Sequence, residues 1–77
     1  MEEKVLDCIY EVCDEKIIYD NRNIDLFETG LLDSMGFIEL LMNLEDEFDI
    51  EITPSEIDKE KMGTPNMIIS FVRTKLK

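Results

Sequence analysis

The residue whose type and position best suit a chemical role is Ser34, which lies directly after Asp33 at the start of a predicted helix. A serine in this place is most often an N-cap, whose hydroxyl accepts an N–H of the first turn. The place also suits an attached anion, because first-turn N–H groups and the positive end of the helix dipole face it. The chain has no histidine, and no lysine lies nearby in sequence as a general base. Ser34 is therefore not expected to act as a catalytic nucleophile.

The helix that begins there, predicted from about residue 35 to residue 48, carries two apolar stripes. At about 100° per residue, one stripe is predicted to be core: Phe37, Leu40, Leu41, Leu44 and Phe48. The second consists of Met35, Ile38 and Met42, with Glu39 and Asp46 on one edge and Glu45 on the other. This stripe either packs under the long loop or short helix, or forms an exposed apolar strip with an acidic rim. We expect exposure and partner binding, since methionines suit a surface that accepts several partners.

The other secondary-structure elements must hold Ser34 in place. The spacing of apolar residues along the chain predicts that these elements are helices and that the fold is all-α. An amphipathic first helix runs from residue 2 to about Ile18. A loop across residues 24–33 follows, with Gly30 suited to a left-handed turn. The stretch Thr53-Pro54-Ser55-Glu56 reads as a capping box that opens a short helix, and Thr64-Pro65 opens the last one. We predict a single domain over residues 1–77: an antiparallel bundle of three main helices and one short helix.

Charge and cysteine content exclude several functions. The 77 residues carry a net charge of −11, so nucleic-acid binding is not expected. Cys8 and Cys13 lie five residues apart on one helix, too far for a disulfide, and too few ligands are present for zinc. A calcium loop starting at Asp20 fails because Arg22 and Ile24 occupy ligand positions. No metal site is predicted, and without a leader or an apolar membrane span the chain is expected in the cytoplasm.

The stretch from Asp25 to Leu40 resembles the attachment site of the phosphopantetheine-dependent acyl carrier protein family. The resemblance continues through residues 45–52 and covers most of the chain from Asp25 to Phe71; the lead-in Gly30-Leu31-Leu32-Asp33-Ser34 makes it specific. It implies an acyl-carrier-like bundle and a 4'-phosphopantetheine arm, taken from coenzyme A by a phosphopantetheinyl transferase, on Ser34. It also implies that Asp33 helps the transferase and its metal recognise the serine, and that Met35 and Gly36 lie beside the arm.

Gly36 has two interpretations of its own. In a first helical turn, glycine costs up to about 1 kcal/mol relative to alanine. The missing side chain either clears space beside the arm or reflects the tolerance of a helix start for glycine.

Within this family, three stretches resemble the D-alanyl carriers of the teichoic-acid pathway in cell-wall synthesis: Met35-Gly36, Leu26-Phe27-Glu28 and Thr64-Pro65-Asn66. Met62-Gly63 departs from that group, which often has an aromatic residue there. The resemblance implies loading by an ATP-dependent adenylating ligase for D-alanine and discharge by a membrane acyltransferase. The chain would then be a monomeric, non-catalytic carrier that holds its cargo as a thioester, without inserting into the membrane itself. Alternatives are a specialised acyl or peptidyl carrier of a fatty-acid, polyketide or nonribosomal pathway, and an unmodified acidic adaptor.

Overall fold

A computed structural model describes residues 1–58 and 60–76, and the predicted all-α bundle is confirmed. Its α-helices are α1 (Glu2–Cys13), α2 (Ile17–Asp20), α3 (Ser34–Phe48) and α4 (Pro65–Lys75), with a short 3-10 helix at Pro54–Glu56. No strand is present in these ranges. Helix α1 packs against both α3 and α4, and the core fills the space between them. The three long helices therefore form the bundle, and two short ones lie in the connections.

The first helix ends earlier than predicted. Asp14 adopts a left-handed conformation (φ 56°), and its N–H donates to the Tyr10 carbonyl at 2.7 Å. The chain then forms α2, which the Tyr19 hydroxyl ties to α1 through a 2.6 Å hydrogen bond to Asp7 Oδ1. The apolar pattern does not reveal this break between α1 and α2, because Ile18 continues the pattern and is fully buried. The prediction of one helix to Ile18 is wrong for this reason.

The long loop before α3 is packed across the bundle, as predicted. Leu26 and Leu32 are buried, and Gly30 has the expected positive φ of 79°. The Leu26 N–H donates to the Gly63 carbonyl at 2.7 Å, and the Leu32 N–H donates to the Leu26 carbonyl at 2.8 Å. The loop is thus fixed to the segment before α4, and its fixed backbone leads directly to Asp33 at the start of α3.

The anchoring of this loop predicts a large stability effect at Leu26, which is fully buried. Leu26→Ala should lower the free energy of unfolding by about 3 kcal/mol, because it removes buried methyl groups and leaves a cavity. Urea denaturation followed by circular dichroism measures this change. Glu28→Ala, an exposed neighbour, is the control and should change stability by less than about 0.5 kcal/mol. Equal effects would mean that the loop is not part of the core.

The two predicted caps near the C-terminal half are confirmed. Thr53 and Glu56 form a capping box around the 3-10 helix, which is shorter and tighter than an α-helix. The Thr64 hydroxyl accepts the Met67 N–H at 3.2 Å and caps α4. The sequence also predicts that Arg73, Lys75 and Lys77 complement the dipole at the end of the last helix. Arg73 and Lys75 lie in the last turn of α4, and Lys77 lies outside the described residues.

Candidate functional site

The start of α3 is organised by Asp33. Asp33 is the N-cap: its Oδ1 accepts the Gly36 N–H at 2.7 Å, and its carbonyl accepts the Phe37 N–H at 2.8 Å. Ser34 is the first helical residue. The common expectation that a serine here is the N-cap is therefore wrong, because the side chain that accepts the Gly36 N–H belongs to the preceding residue, Asp33.

The surroundings of Ser34 fit the attachment of a large group. Ser34 is exposed, and the next residue, Met35, keeps 80% of its surface accessible. The hydroxyl lies in the first turn of a 15-residue helix, where the helix dipole favours a negative charge. Asp33 adds a carboxylate beside it, which opposes a second anion but offers a metal ligand or a hydrogen-bond acceptor to an incoming enzyme. The site therefore combines accessibility with a fixed backbone.

Gly36 faces the interior of the bundle. A Cβ placed on it would lie 3.1 Å from Asp33 Oδ1, 3.2 Å from Val12 Cγ1 and 3.6 Å from Leu32 Cδ2. Its backbone is not in the left-handed region, so space and not conformation explains the glycine. The missing side chain admits the Asp33 carboxylate and helix α1. A role for Gly36 beside a bound arm stays a prediction.

The two stripes of α3 are separated as the periodicity predicted. Met35, Ile38 and Met42 are 80%, 57% and 59% exposed. On the opposite side the core stripe is buried at four positions: Phe37, Leu40, Leu41 and Leu44. Phe48, predicted as core, is only half-buried because it ends the helix at the edge of the bundle. The described chain thus has an exposed apolar strip that starts one residue after Ser34.

The three acids predicted to border this strip differ in their surroundings. Glu39 and Asp46 are exposed. Glu45 is half-buried, and its Oε2 accepts the Ile52 N–H at 2.9 Å, so it holds the connection after α3 against the helix. Periodicity placed Glu45 on the correct side of α3 but carried no information about the loop that folds back over it.

Asp46, on the other edge of the exposed strip, also lines a cleft between α1 and α3. This cleft of about 280 Å³ is lined by Asp46, Asn43 and Glu47 from α3 and by Asp7, Cys8 and Glu11 from α1. Burial, followed by the charges of Glu47, Glu11 and Asp7, raises the pKa of the Cys8 thiol to about 11. Burial also raises the pKa of Cys13. Both cysteines are free, and both stay protonated at neutral pH.

Comparison with known proteins gives this arrangement a family. Residues 3–72 match the sequence model described as "Phosphopantetheine attachment site". The chain belongs to this family, whose members carry covalently attached 4'-phosphopantetheine, and 4'-phosphopantetheine is its cofactor. Proteins of this family are in general carriers without catalysis of their own, and they work with phosphopantetheinyl transferases and ligases.

Among curated relatives, the chain is similar to D-alanyl carrier proteins. It is 44% identical over 68 residues to that of Bacillus subtilis (strain 168), covering 88% of this chain and 87% of the relative. It is 42% identical over 67 residues to that of Bacillus cereus (strain B4264), covering 87% and 85%. No helix within residues 1–58 and 60–76 has the length and apolar character needed to cross a membrane.

Proposed function

We propose that Ser34 carries the 4'-phosphopantetheine arm and that the arm holds D-alanine as a thioester. The observation that carries this proposal is the exposed Ser34 side chain at the first residue of α3, behind an Asp33 cap and beside an exposed apolar strip. When bound, the arm supplies the terminal thiol that bears the cargo. The chain's own residues position the attachment atom and present a surface to partner enzymes, and the chain itself performs no catalysis.

The partner surface is proposed to be the exposed strip of Met35, Ile38 and Met42 with its acidic border. An apolar centre with a charged rim is the usual anatomy of a transient interface, and the rim acids would steer basic partners. Glu39 and Asp46 are accessible for this role. Glu45 stays in the proposal as a residue that shapes the edge of the surface, since it holds Ile52.

The cargo is assigned from the relatives, which are D-alanyl carrier proteins. The corresponding partners are a phosphopantetheinyl transferase, an ATP-dependent adenylating ligase for D-alanine, and a membrane acyltransferase of the teichoic-acid pathway. We place the protein in the cytoplasm as a monomeric carrier domain over residues 1–77. A fatty-acid, polyketide or peptidyl carrier and an unmodified adaptor are less favoured, because neither accounts for these relatives.

The state of the two cysteines suits a thioester carrier. A thiolate, and not a thiol, is the nucleophile that attacks a thioester. The raised pKa values of Cys8 and Cys13 keep both as thiols. The chain's own sulfur atoms are therefore weak nucleophiles toward the cargo.

The proposal is tested by mass measurement in two stages. The protein is first mixed with coenzyme A and a phosphopantetheinyl transferase, and one arm per chain is expected. The modified protein is then offered, with ATP, to a D-alanine ligase and to a fatty-acid ligase. A mass gain of one alanyl residue with the first ligase alone supports the cargo assignment. Loading by the fatty-acid ligase alone would replace it, and a protein that gains no arm would overturn the carrier function.

The role of Asp33 gives a separate prediction, because its carboxylate is both a helix cap and a charge beside Ser34. Asp33→Ala should lower the free energy of unfolding by about 1 kcal/mol through loss of the cap. Asp33→Asn keeps an oxygen for the Gly36 N–H and should cost less than half of that, yet arm transfer should slow several-fold because the charge is gone. Thermal unfolding and the transfer rate measure the two effects. Thr64→Ala, which removes the cap of α4, is the control that should cost stability without slowing transfer.

A further inference from the structure

Asp33, which caps α3, and Val12 of α1 both border the gap left by the missing side chain of Gly36. Asp33 Oδ1 lies 2.7 Å from the Gly36 nitrogen and 3.1 Å from the place where a Cβ on Gly36 would be. Val12 Cγ1 lies 3.2 Å from the same place on the α1 side. A contact of 3.0–3.4 Å to a Cβ is tighter than nearly all such contacts in proteins. The Asp33 carboxylate and α1 therefore share the space that a side chain would need.

We propose that Gly36 is a positioning residue for arm transfer to Ser34: its N–H and its missing side chain hold the Asp33 carboxylate, and with it the Asp33–Ser34 peptide, against the first turn of α3, while Val12 closes the same gap from α1. This inference rests on the proposed role of Ser34. The Gly36 N–H donates to Asp33 Oδ1, and the Val12 side chain borders the same gap from α1, so a side chain at position 36 would press on both. A side chain at position 36 displaces either the carboxylate or α1.

A side chain added at position 36 is expected to displace the Asp33 carboxylate more than helix α1. Val12 belongs to α1, which is held by a buried row that includes Val5, Leu6 and Ile9. Asp33 is exposed, and its carboxylate is held to α3 by the hydrogen bond from the Gly36 N–H. The softer contact gives way first, so an added methyl group is expected to rotate the carboxylate and weaken the cap. Ser34 then loses its fixed orientation although it remains accessible.

The geometry also separates binding of the transferase from the transfer step. Gly36 faces Val12 and Leu32 on the inner side of α3, whereas Met35, Ile38 and Met42 are exposed on its outer side. A change at position 36 therefore leaves the proposed docking strip intact. Misorientation of the accepting hydroxyl affects the transfer step, because a reacting group must be held close to its productive geometry. A substitution at position 36 is therefore expected to lower kcat and to leave KM unchanged.

The test is steady-state kinetics of arm transfer from coenzyme A by a phosphopantetheinyl transferase. Gly36→Ala should lower kcat several-fold with KM within about twofold of the parent, and amide hydrogen exchange at position 36 should become faster. Adding Val12→Ala to it opens the α1 side of the gap and should restore most of kcat and the slow exchange. Asn43→Ala, on the same helix and away from Asp33, is the matched control and should change neither.

The outcomes separate this inference from the proposed function. A parent protein that gains no arm overturns both. A modified parent together with a Gly36→Ala protein of parental kcat overturns the positioning role alone, as does a loss of kcat that Val12→Ala fails to relieve. If Gly36→Ala does not fold, Val12→Leu crowds the same gap from α1 and carries the same expectation of lower kcat. A Val12→Leu protein with unchanged kcat then overturns the inference.

Discussion

Ser34→Ala should abolish modification completely while leaving the bundle intact. The mutant protein, mixed with coenzyme A and a phosphopantetheinyl transferase, should show its unmodified mass after the parent has been fully converted. The fold should survive because Ser34 is exposed and the cap of α3 is supplied by Asp33. Alanine is also a better helix former than serine, so the melting temperature should stay within a few degrees of the parent.

The other serines provide the controls for this experiment. The chain has three serines, and the remaining two, Ser55 and Ser70, are also exposed. Ser55→Ala and Ser70→Ala should both be modified at the parental rate, since neither follows an acidic cap at the start of a long helix. A Ser34→Ala protein that still gains an arm would show that the attachment site lies elsewhere.

The second large effect is expected from the rim of the docking strip. Reversing Glu39 and Asp46 to lysine should slow loading of the modified protein by its ligase about tenfold at low salt. Rim charges mainly act on the rate of encounter and on its salt dependence. The penalty should therefore shrink as the Debye length falls from about 10 Å at 0.1 M salt to about 3 Å at 1 M. The net charge changes from −11 to −7, because each reversal adds +2.

The control for this experiment depends on the tertiary structure. The sequence alone recommends Asp7 and Glu11, because they belong to another helix. The structure places both in the cleft that Asp46 also lines, so they do not test bulk charge. Glu3 and Asp20 are exposed and lie outside that cleft. Reversing this pair should leave loading within about twofold of the parent; an equal loss of rate would assign the effect to net charge and not to the α3 surface.

The sequence determined the features that depend on neighbours along the chain. The Thr53 capping box, the Thr64 cap and the left-handed Gly30 were predicted and confirmed, because turn and cap chemistry is set within four residues. Helical periodicity separated Met35, Ile38 and Met42 from the core stripe in the same way, and their expected exposure is confirmed. The position of Ser34 at a helix start, from which its proposed role begins, is likewise local information.

The tertiary structure decided what depends on residues distant in sequence. Asp14 ends α1 in a left-handed conformation although the apolar pattern continues to Ile18, which reaches the core from a separate short helix. Glu45 turns to the Ile52 amide seven residues away, and Gly36 meets Val12 across the bundle. Periodicity gives the side of a helix on which a residue lies but does not identify its neighbour. That neighbour is set by how the helices pack, and here packing brings Val12 of α1 against Gly36.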